Sequence, residues 1–208
     1  MIAEHSNAEF QAKSLGVLTS VMTHVWKLND KKDLPFKNLM IVGLSLGLRY
    51  SDINELTYGD IIQMNESEKF IIQRKFRDKK IKKIKLFPHT EMLKHFNNVY
   101  ENTFNIKEST PILAKFGTQE AYSYNTMNRF VKKFSVDIGI AANTSANHIS
   151  THSLRKTFAR NFYDLGNRTD NTLLALSMYF NHDSITTTRI YIGLVDEEIT
   201  NILSKMYL

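Results

Sequence analysis

Near its C-terminal end the chain reads FNHDSITTTRIYIG over residues 180–193. This segment holds one histidine, His182, and one tyrosine, Tyr191, nine residues apart, with three consecutive threonines between them. Taken alone, both residues are compatible with packing, since a lone histidine is more often structural than catalytic. We expect the threonines to be cap and turn residues that join two helices. A functional interpretation therefore needs partner residues elsewhere in the chain.

Length and composition restrict the class of protein. With 208 residues, of which 42% are hydrophobic, the chain can bury a core, and its length favours one domain or one and a half. The longest apolar run, LMIVGLSLGL at 39–48, is too short and too interrupted to cross a membrane, and MIAEHSNAEF at the N-terminus does not resemble a secretory signal. The absence of cysteine excludes disulfides and thiolate metal sites. We therefore expect a cytoplasmic protein with no membrane partner.

Positive charge is concentrated in one segment. The net charge is +6, whereas residues 69–85, KFIIQRKFRDKKIKKIK, hold nine Lys or Arg against one Asp, a local charge of +8. The rest of the chain is therefore slightly acidic. Such a patch is typical of a protein that binds a polyanion such as nucleic acid, although a solvated hairpin kept soluble by its lysines explains the same pattern.

Hydrophobic periodicity predicts a mainly α fold with one small antiparallel β-sheet, an α+β class. The segments KFIIQRK and IKKIKLF flank the polar turn FRDKK and predict a basic hairpin. Ser51 is a suitable N-cap for a short helix that runs to Leu56 with Asp52 in its first turn. The longer predicted helices cover residues 8–28, 36–48, 89–101, 122–139, 152–165, 170–179 and 194–206.

Several residues gain chemical interest only in combination. The segment HSLR places His152 and Arg155 three residues apart, so they share one face of a helix. This pattern alone is common and fits a capped helix with a surface arginine. Arg49 follows the apolar run and fits an ordinary cation at a helix end, and Lys75 is one of many lysines in the hairpin. For each residue alone, the structural explanation is the stronger one.

The order of these residues changes that interpretation. GLRYSDI at 47–53 is followed by the lysine-bearing hairpin, then by HSLRKTF at 152–158 and finally by NHDSITTTRIY at 181–191. This order resembles the catalytic domain of the tyrosine recombinase (phage integrase) family. Its members read GLRxSE, a hairpin lysine, HxxR, and GHxS with a tyrosine nine residues after the histidine. The resemblance runs from about residue 10 to the C-terminus.

The resemblance implies a set of catalytic residues, with the tyrosine as nucleophile: Arg49, Lys75, His152, Arg155, His182 and Tyr191. Asp52 matches a nearby acidic position and is expected to orient side chains rather than to contact DNA. Lys79 and Lys80 are rivals of Lys75, which is preferred because it ends the first predicted strand. The other hairpin cations are expected to contact DNA: Arg74, Arg77, Lys79, Lys80, Lys82 and Lys83.

The chemistry that the resemblance implies requires these residue types. Two guanidiniums, Arg49 and Arg155, can hold the non-bridging oxygens of a phosphodiester and stabilise the charge of the transition state. A tyrosine phenol is mostly protonated at neutral pH and needs help to attack. His152 is expected to accept that proton and His182 to donate a hydrogen bond to the phosphoryl group. The hairpin lysine is expected to protonate the leaving 5′ oxygen.

The resemblance further implies a site-specific recombinase or integrase that acts on double-stranded DNA with paired recombination sites. A 3′-phosphotyrosyl intermediate conserves the bond energy, so no ATP, metal ion or other cofactor is expected. Four protomers are expected in the synaptic complex, and as a DNA-acting protein the chain is expected with the nucleoid in the cytoplasm. The amphipathic segment 194–208 either packs on its own core or docks on a neighbouring protomer.

Residues 1–208 are expected to form one catalytic domain, because Arg49 comes too early for the N-terminal core-binding domain of most members to precede it. The chain is then either a naturally short member or a fragment. Three positions depart from the family pattern: Asp52 replaces a glutamate, Thr151 a proline and Asn181 a glycine. None removes a group that the reaction needs, and Asn181 is expected to alter a turn.

Other functions stay open at this point. A type IB topoisomerase shares the nucleophile chemistry, but the spacings within THSLRK and NHDSITTTRIY favour a recombinase. A DNA-binding regulator on the same fold uses the lysine patch without cutting, yet has no need of Tyr191. His148 and His152 are four residues apart, as in a helical zinc pair, but no HExxH glutamate or cysteine accompanies them. A metal site is therefore disfavoured.

Overall fold

The computed structural model describes residues 14–64, 70–75, 81–140 and 149–206. Within these ranges the chain is mainly helical, as predicted. The described residues fall into two compact units, one of residues 21–155 and the other of residues 156–206 together with 14–20. None of the described helices is long and apolar enough to cross a membrane.

The unit of residues 21–155 is built on a buried helix. In chain order its helices are the end of α1 (Ser14–Trp26), α2 (Leu34–Leu46), α3 (Tyr50–Ile53), α4 (Tyr58–Ile62), α5 (Thr90–Asn102), α6 (Tyr124–Asp137) and the first turn of α7 (Thr151–Leu165), with a 3-10 helix, Lys31–Asp33, before α2. Pro35 lies in the first turn of α2, where its missing N–H is not needed, and Gly47 ends the helix at a left-handed φ of 58°. Most side chains of α2 are buried, as its all-round apolar sequence requires.

Two strands lie between α4 and α5. β1 (Phe70–Lys75) and β2 (Ile81–Leu86) pair antiparallel, with Phe70 opposite Leu86 and Lys75 opposite Ile81. Leu86 is fully buried, so the end of β2 is anchored in the core of this unit. Residues 76–80, between the strands, lie outside the described residues.

The second unit contains the rest of α7, followed by α8 (Asp170–Phe180), α9 (Ile185–Tyr191) and α10 (Leu194–Met206). Its buried core cluster consists of Ala159, Tyr163, Leu173, Leu176, Phe180, Ile192 and Leu194. Asn181 ends α8 in the left-handed conformation, at φ 53° and ψ 45°. Asparagine is one of the few residues besides glycine that tolerate this conformation. The exchange of glycine for Asn181 therefore does not by itself require a different turn.

The boundary predicted for α3 is wrong. The helix begins at Tyr50 and ends at Ile53, and the N-cap is Arg49 rather than Ser51. The Asp52 carboxylate accepts a hydrogen bond of 3.2 Å from the backbone N–H of Arg49, which satisfies a donor at the helix start. An acidic residue at the third helical position therefore starts this helix two residues earlier than the serine signal indicates.

Two further helices were not predicted. The threonines between His182 and Tyr191 lie inside α9, whose N-cap is Ser184, so their assignment to a cap and turn is wrong. The second, α4, begins with reciprocal hydrogen bonds: the Thr57 hydroxyl accepts from the Asp60 N–H at 3.2 Å, and the Asp60 carboxylate accepts from the Thr57 N–H at 2.8 Å. The spacing of these two residues in the sequence is that of a capping box.

Candidate active site

The first group of predicted catalytic residues lies just after α2. Gly47 turns the chain out of that helix, and Arg49 follows at the N-cap of α3, half-buried. The Arg155 guanidinium is only 5% exposed, and its Nη1 donates a hydrogen bond of 2.6 Å to the Gly47 carbonyl. This bond fixes a permanent positive charge beside the segment that carries Arg49.

Side chains of α3 hold the same segment in place. Asp52 is 5% exposed and accepts a hydrogen bond from the backbone N–H of Arg49, whereas its role in orienting side chains stays a prediction. The Tyr50 hydroxyl donates to the Tyr122 carbonyl at 2.6 Å, and burial raises the pKa of Tyr50, so the phenol stays a neutral donor. The backbone on both sides of Arg49 is therefore restrained, which fixes the point from which its side chain extends.

The first turn of α7 carries His152 and Arg155 on a closely packed helix. Between them Leu154 is buried against Gly43 of α2. A Cβ atom at Gly43 would lie 2.9 Å from Leu154 Cδ1 and 3.0 Å from Leu154 Cβ, so the glycine permits this close approach. His152 is exposed on this turn, whereas Arg155 is buried.

Thr151 occupies the position where the family has proline. Its backbone N–H donates a hydrogen bond of 3.0 Å to Asn128 Oδ1, which proline could not do. This side-chain acceptor satisfies one of the unpaired donors at the start of α7. With Thr151 in place of proline, the start of α7 is therefore held by a hydrogen bond instead of by a proline ring. His152 is the next residue of the helix.

The candidates for the catalytic lysine and for DNA contacts lie on the two strands and the segment between them. Lys75 is the last residue of β1 and pairs with Ile81. Arg74 pairs with Lys82, and Lys83 follows in β2. The remaining predicted residues lie outside the described ranges: Arg77, Lys79 and Lys80. The choice of Lys75 over its two rivals therefore stays a prediction.

The second group lies where α9 packs against α8. The His182 ring packs edge-on against Tyr191, with ring centroids 5.5 Å apart at 70°, and Phe180 contacts both rings edge-on. The Tyr191 hydroxyl oxygen is shielded from solvent. His182 Nδ1 lies 2.9 Å from the hydroxyl of Thr188. The nine-residue spacing thus brings the histidine and the tyrosine into direct contact.

Sequence reasoning missed two residues of this second group. Lys156, on α7, places its Nζ 5.6 Å from the centroid of the Tyr191 ring. Thr188 is fully buried beside His182. For Lys156 the available signal was a cation directly after the HxxR arginine. For Thr188 the sequence offered only its place in a run of threonines.

Each group lies within one unit: the two arginines with His152 in residues 21–155, and the His182–Tyr191 pair in residues 156–206. In the part of the chain that the structure describes, no group of three or more His, Asp or Glu side chains is placed to bind a metal ion. His148, one half of the histidine pair considered above, lies outside that part.

Solved structures share the fold of this chain. The XerH site-specific recombinase, bound to palindromic difH substrate, matches with a TM-score of 0.62 and 16% identity over 92% of this chain and 52% of the XerH chain. The Tn1549 transposon integrase, in complex with circular intermediate DNA, matches with a TM-score of 0.55 and 21% identity over 86% of this chain and 58% of that one. The predicted likeness to a tyrosine recombinase catalytic domain is thereby confirmed. This chain spans between half and three fifths of the length of these two structures.

Sequence comparison leads to the same family. The probable integrase/recombinase YoeC of Bacillus subtilis (strain 168) is 30% identical over 169 residues, which cover 81% of this chain and 82% of YoeC. The profile of the phage integrase family matches residues 17–198. That range contains the six predicted catalytic positions in their family order. This chain belongs to the phage integrase family.

Proposed function

We propose that this chain is a site-specific DNA recombinase that cleaves and rejoins double-stranded DNA through a 3′-phosphotyrosyl intermediate. Membership of the phage integrase family supports the proposal, as do the DNA complexes of XerH and the Tn1549 integrase. The observation that carries it is the edge-on contact of the Tyr191 ring with His182, at the spacing of the family motif. Acting on DNA, the protein works at the nucleoid, in the cytoplasm.

In this proposal the two arginines bind the phosphate. Arg49 and Arg155 keep their charge throughout the reaction and offer paired N–H donors to the non-bridging oxygens. Both lie on restrained backbone, and Arg155 is additionally fixed by its bond to the Gly47 carbonyl. A preorganised cation stabilises the developing charge without having to reorganise during the step.

Tyr191 attacks phosphorus and forms the phosphotyrosyl bond while the 5′ oxygen leaves. His152, exposed on the first turn of α7, accepts the phenolic proton, and His182 donates a hydrogen bond to the phosphoryl group. The solvent-shielded position of the Tyr191 hydroxyl favours transfer to a DNA hydroxyl over hydrolysis of the intermediate.

The proton for the 5′ oxygen comes from a lysine of the small β1–β2 sheet. Lys75 is the preferred donor because it is the last residue of β1, directly before the turn that the sequence predicts. The clustered charge of residues 69–85 supports contact with the DNA backbone by the same hairpin, through Arg74, Arg77, Lys79, Lys80, Lys82 and Lys83.

The proposal is tested with a nicked suicide substrate of the cognate site. We expect wild-type protein to form a covalent protein–DNA adduct, and Tyr191→Phe to form none because it lacks the attacking oxygen. If no adduct can be trapped and Tyr191→Phe binds the site as well as wild type does, the result would contradict the enzyme and favour a DNA-binding regulator. Adduct formation with DNA relaxation but no strand exchange would instead identify a topoisomerase.

The same assay identifies the general acid. A substrate with sulfur in place of the bridging 5′ oxygen releases a thiolate, which needs no proton to leave. We expect this substrate to restore cleavage to Lys75→Ala but to leave Arg155→Ala inactive. Restoration in Lys79→Ala or Lys80→Ala instead would move the role to that lysine.

The assembly we propose is a tetramer on two DNA duplexes, joined in part by α10. Its residues Ile199, Ile202, Leu203 and Met206 form an exposed apolar stripe at three- and four-residue spacing. The first turn of α10 is anchored within its own unit, since Glu197 accepts a hydrogen bond of 2.8 Å from buried Arg160. The anchored start with an exposed apolar end fits a helix that docks on a neighbouring protomer.

This assembly is tested by sedimentation of the complex trapped on suicide DNA. We expect Ile202→Glu to bind a single recombination site normally but to lose the paired complex, because a charge in the stripe opposes docking. Asn201→Glu, at an exposed neighbouring position of α10, is the matched control and is expected to assemble. Equal assembly of both variants would contradict docking through this stripe.

A further inference from the structure

The three consecutive threonines of α9 have different environments. Thr186 and Thr187 are exposed, and the N–H of Thr187 donates to the Ser184 hydroxyl that caps the helix, at 3.1 Å. Thr188 is 0% exposed, and its hydroxyl lies 2.9 Å from Nδ1 of His182. The first two threonines therefore lie on the surface of the helix, whereas the third contacts a predicted catalytic side chain.

The His182 ring is held on several sides. Its backbone N–H donates to the Ser177 carbonyl at 3.0 Å, and its ring packs edge-on against Phe180 and Tyr191. The Thr188 contact adds a polar restraint at one ring nitrogen, Nδ1. In the proposed function the other ring nitrogen, Nε2, faces the phosphoryl group.

We propose that Thr188 is a positioning residue that keeps Nε2 of His182 a hydrogen-bond donor whether the ring is neutral or charged. This inference rests on the proposed function and deepens it. A hydroxyl can both donate and accept. When the ring is neutral, the Thr188 O–H donates to Nδ1, so the single ring proton is on Nε2. When the ring is charged, Nδ1–H donates to the Thr188 oxygen, and Nε2 again carries a proton.

A carbonyl or carboxylate in the place of Thr188 would have the opposite effect. Such a group only accepts, so it would hold the proton of the neutral ring on Nδ1 and leave Nε2 as an acceptor. An acceptor facing an anionic phosphoryl oxygen is repulsive. The hydroxyl of Thr188 therefore makes phosphate binding by His182 compatible with neutral and alkaline pH.

The test compares Thr188→Val with wild type. Valine keeps the shape and the β-branch but removes the hydroxyl, so the neutral ring can place its proton on either nitrogen. We expect the rate of adduct formation to fall about fivefold while the ring is neutral, the loss expected for one net hydrogen bond, and to approach wild type once the pH is low enough to charge the ring. Thr188→Ser is expected to restore the wild-type pH profile. Thr186→Val, which adds the same side chain at an exposed position of α9, is the matched control and is expected to leave the profile unchanged.

A second readout does not depend on activity. Nitrogen NMR of histidine-labelled protein reports which ring nitrogen carries the proton. We expect neutral His182 to be protonated at Nε2 in wild type and in Thr188→Ser, and to become a mixture of tautomers in Thr188→Val. If wild type forms no adduct, the proposed function fails while this readout still decides the role of Thr188. An unchanged tautomer in Thr188→Val, or a rate loss that is equal at all pH values, would overturn the inference.

Discussion

At the scale of single residues, the position of Lys156 bears on how Tyr191 becomes a nucleophile. The lysine directly follows Arg155 in the sequence, and its Nζ lies 5.6 Å from the centroid of the Tyr191 ring. A cation near an aromatic ring is attracted to its face, and the attraction increases when the phenol becomes a phenolate. In the proposed mechanism Lys156 therefore favours the attacking form of Tyr191.

We predict that Lys156→Met slows adduct formation about three- to tenfold at neutral pH. This loss is expected to shrink as the pH rises toward the pKa of a free phenol. Lys156→Arg, which keeps the charge, is expected to retain most of the rate. Lys133→Met removes the same charge from an exposed position of α6 and controls for general effects on DNA binding. A pH profile of Lys156→Met parallel to that of wild type would contradict this role.

At the scale of elements, the close approach of α2 and the first turn of α7 positions His152 and Arg155. Gly43 and Leu154 form this contact. We predict that Gly43→Val lowers the free energy of unfolding by roughly 1–3 kcal/mol and also slows cleavage, because overpacking displaces the turn. In chemical denaturation, Gly43→Val combined with Leu154→Ala is expected to lose less stability than the sum of the two single changes. Additive losses would show that the two residues do not press on each other.

Much of the element structure follows from local signals, and the exceptions have identifiable causes. α7 begins one residue from its predicted start, since the apolar spacing after Thr151 is regular. α9 was missed because three β-branched threonines have low helix propensity. Burial of Thr188 and the contact of Tyr191 with Phe180 outweigh that propensity. Such contacts join residues from different helices, which periodicity along one helix cannot reveal.

The residues of the candidate site also divide into those that local sequence patterns predict and those that only tertiary contacts reveal. The motif order predicts His182 and Tyr191 as site residues, because the proposed chemistry restricts the residue types at those positions. The contacts of Lys156 with Tyr191 and of Thr188 with His182 are visible only in the folded structure. Residues that only position a catalytic side chain act through tertiary contacts. Because many residue types at many positions can make such contacts, no sequence motif identifies them.

At the scale of the whole molecule, charge is distributed unevenly, with a net charge of +6 and +8 within residues 69–85. We predict that changing Lys82 and Lys83 to Gln reduces the slope of log binding constant against log salt by about 2, since each released counterion contributes roughly 0.9. The control changes Lys132 and Lys133 of α6, which removes the same charge from another element. An equal loss of slope in both variants would show that overall charge, rather than the hairpin, determines DNA binding.

A buried polar network in residues 21–155 predicts that the stability of the protein depends on pH. Asn38 donates to the Ile112 carbonyl at 2.8 Å and to the Tyr58 hydroxyl at 2.9 Å, which leaves its Oδ1 to accept from His95 Nε2 at 2.9 Å. Burial, together with the nearby Lys37 ammonium, lowers the pKa of His95 to about 4 from its ordinary 6.5. Burial also raises the pKa of Tyr58 to about 12, so both rings are neutral at physiological pH.

The lowered pKa of His95 determines the direction of the pH effect. Between pH 6.5 and about 4 the unfolded chain binds the proton that the folded chain excludes, so this contribution to stability is complete above 6.5 and is lost as the pH falls toward 4. We predict a loss of at most about 3 kcal/mol across this window, measured by urea denaturation at successive pH values. His95→Phe, which cannot take up a proton, is expected to be less stable at pH 7.5 because Asn38 loses its partner, yet to show a flatter decline below pH 6.5. An equally steep decline in that variant would assign the acid sensitivity to other groups.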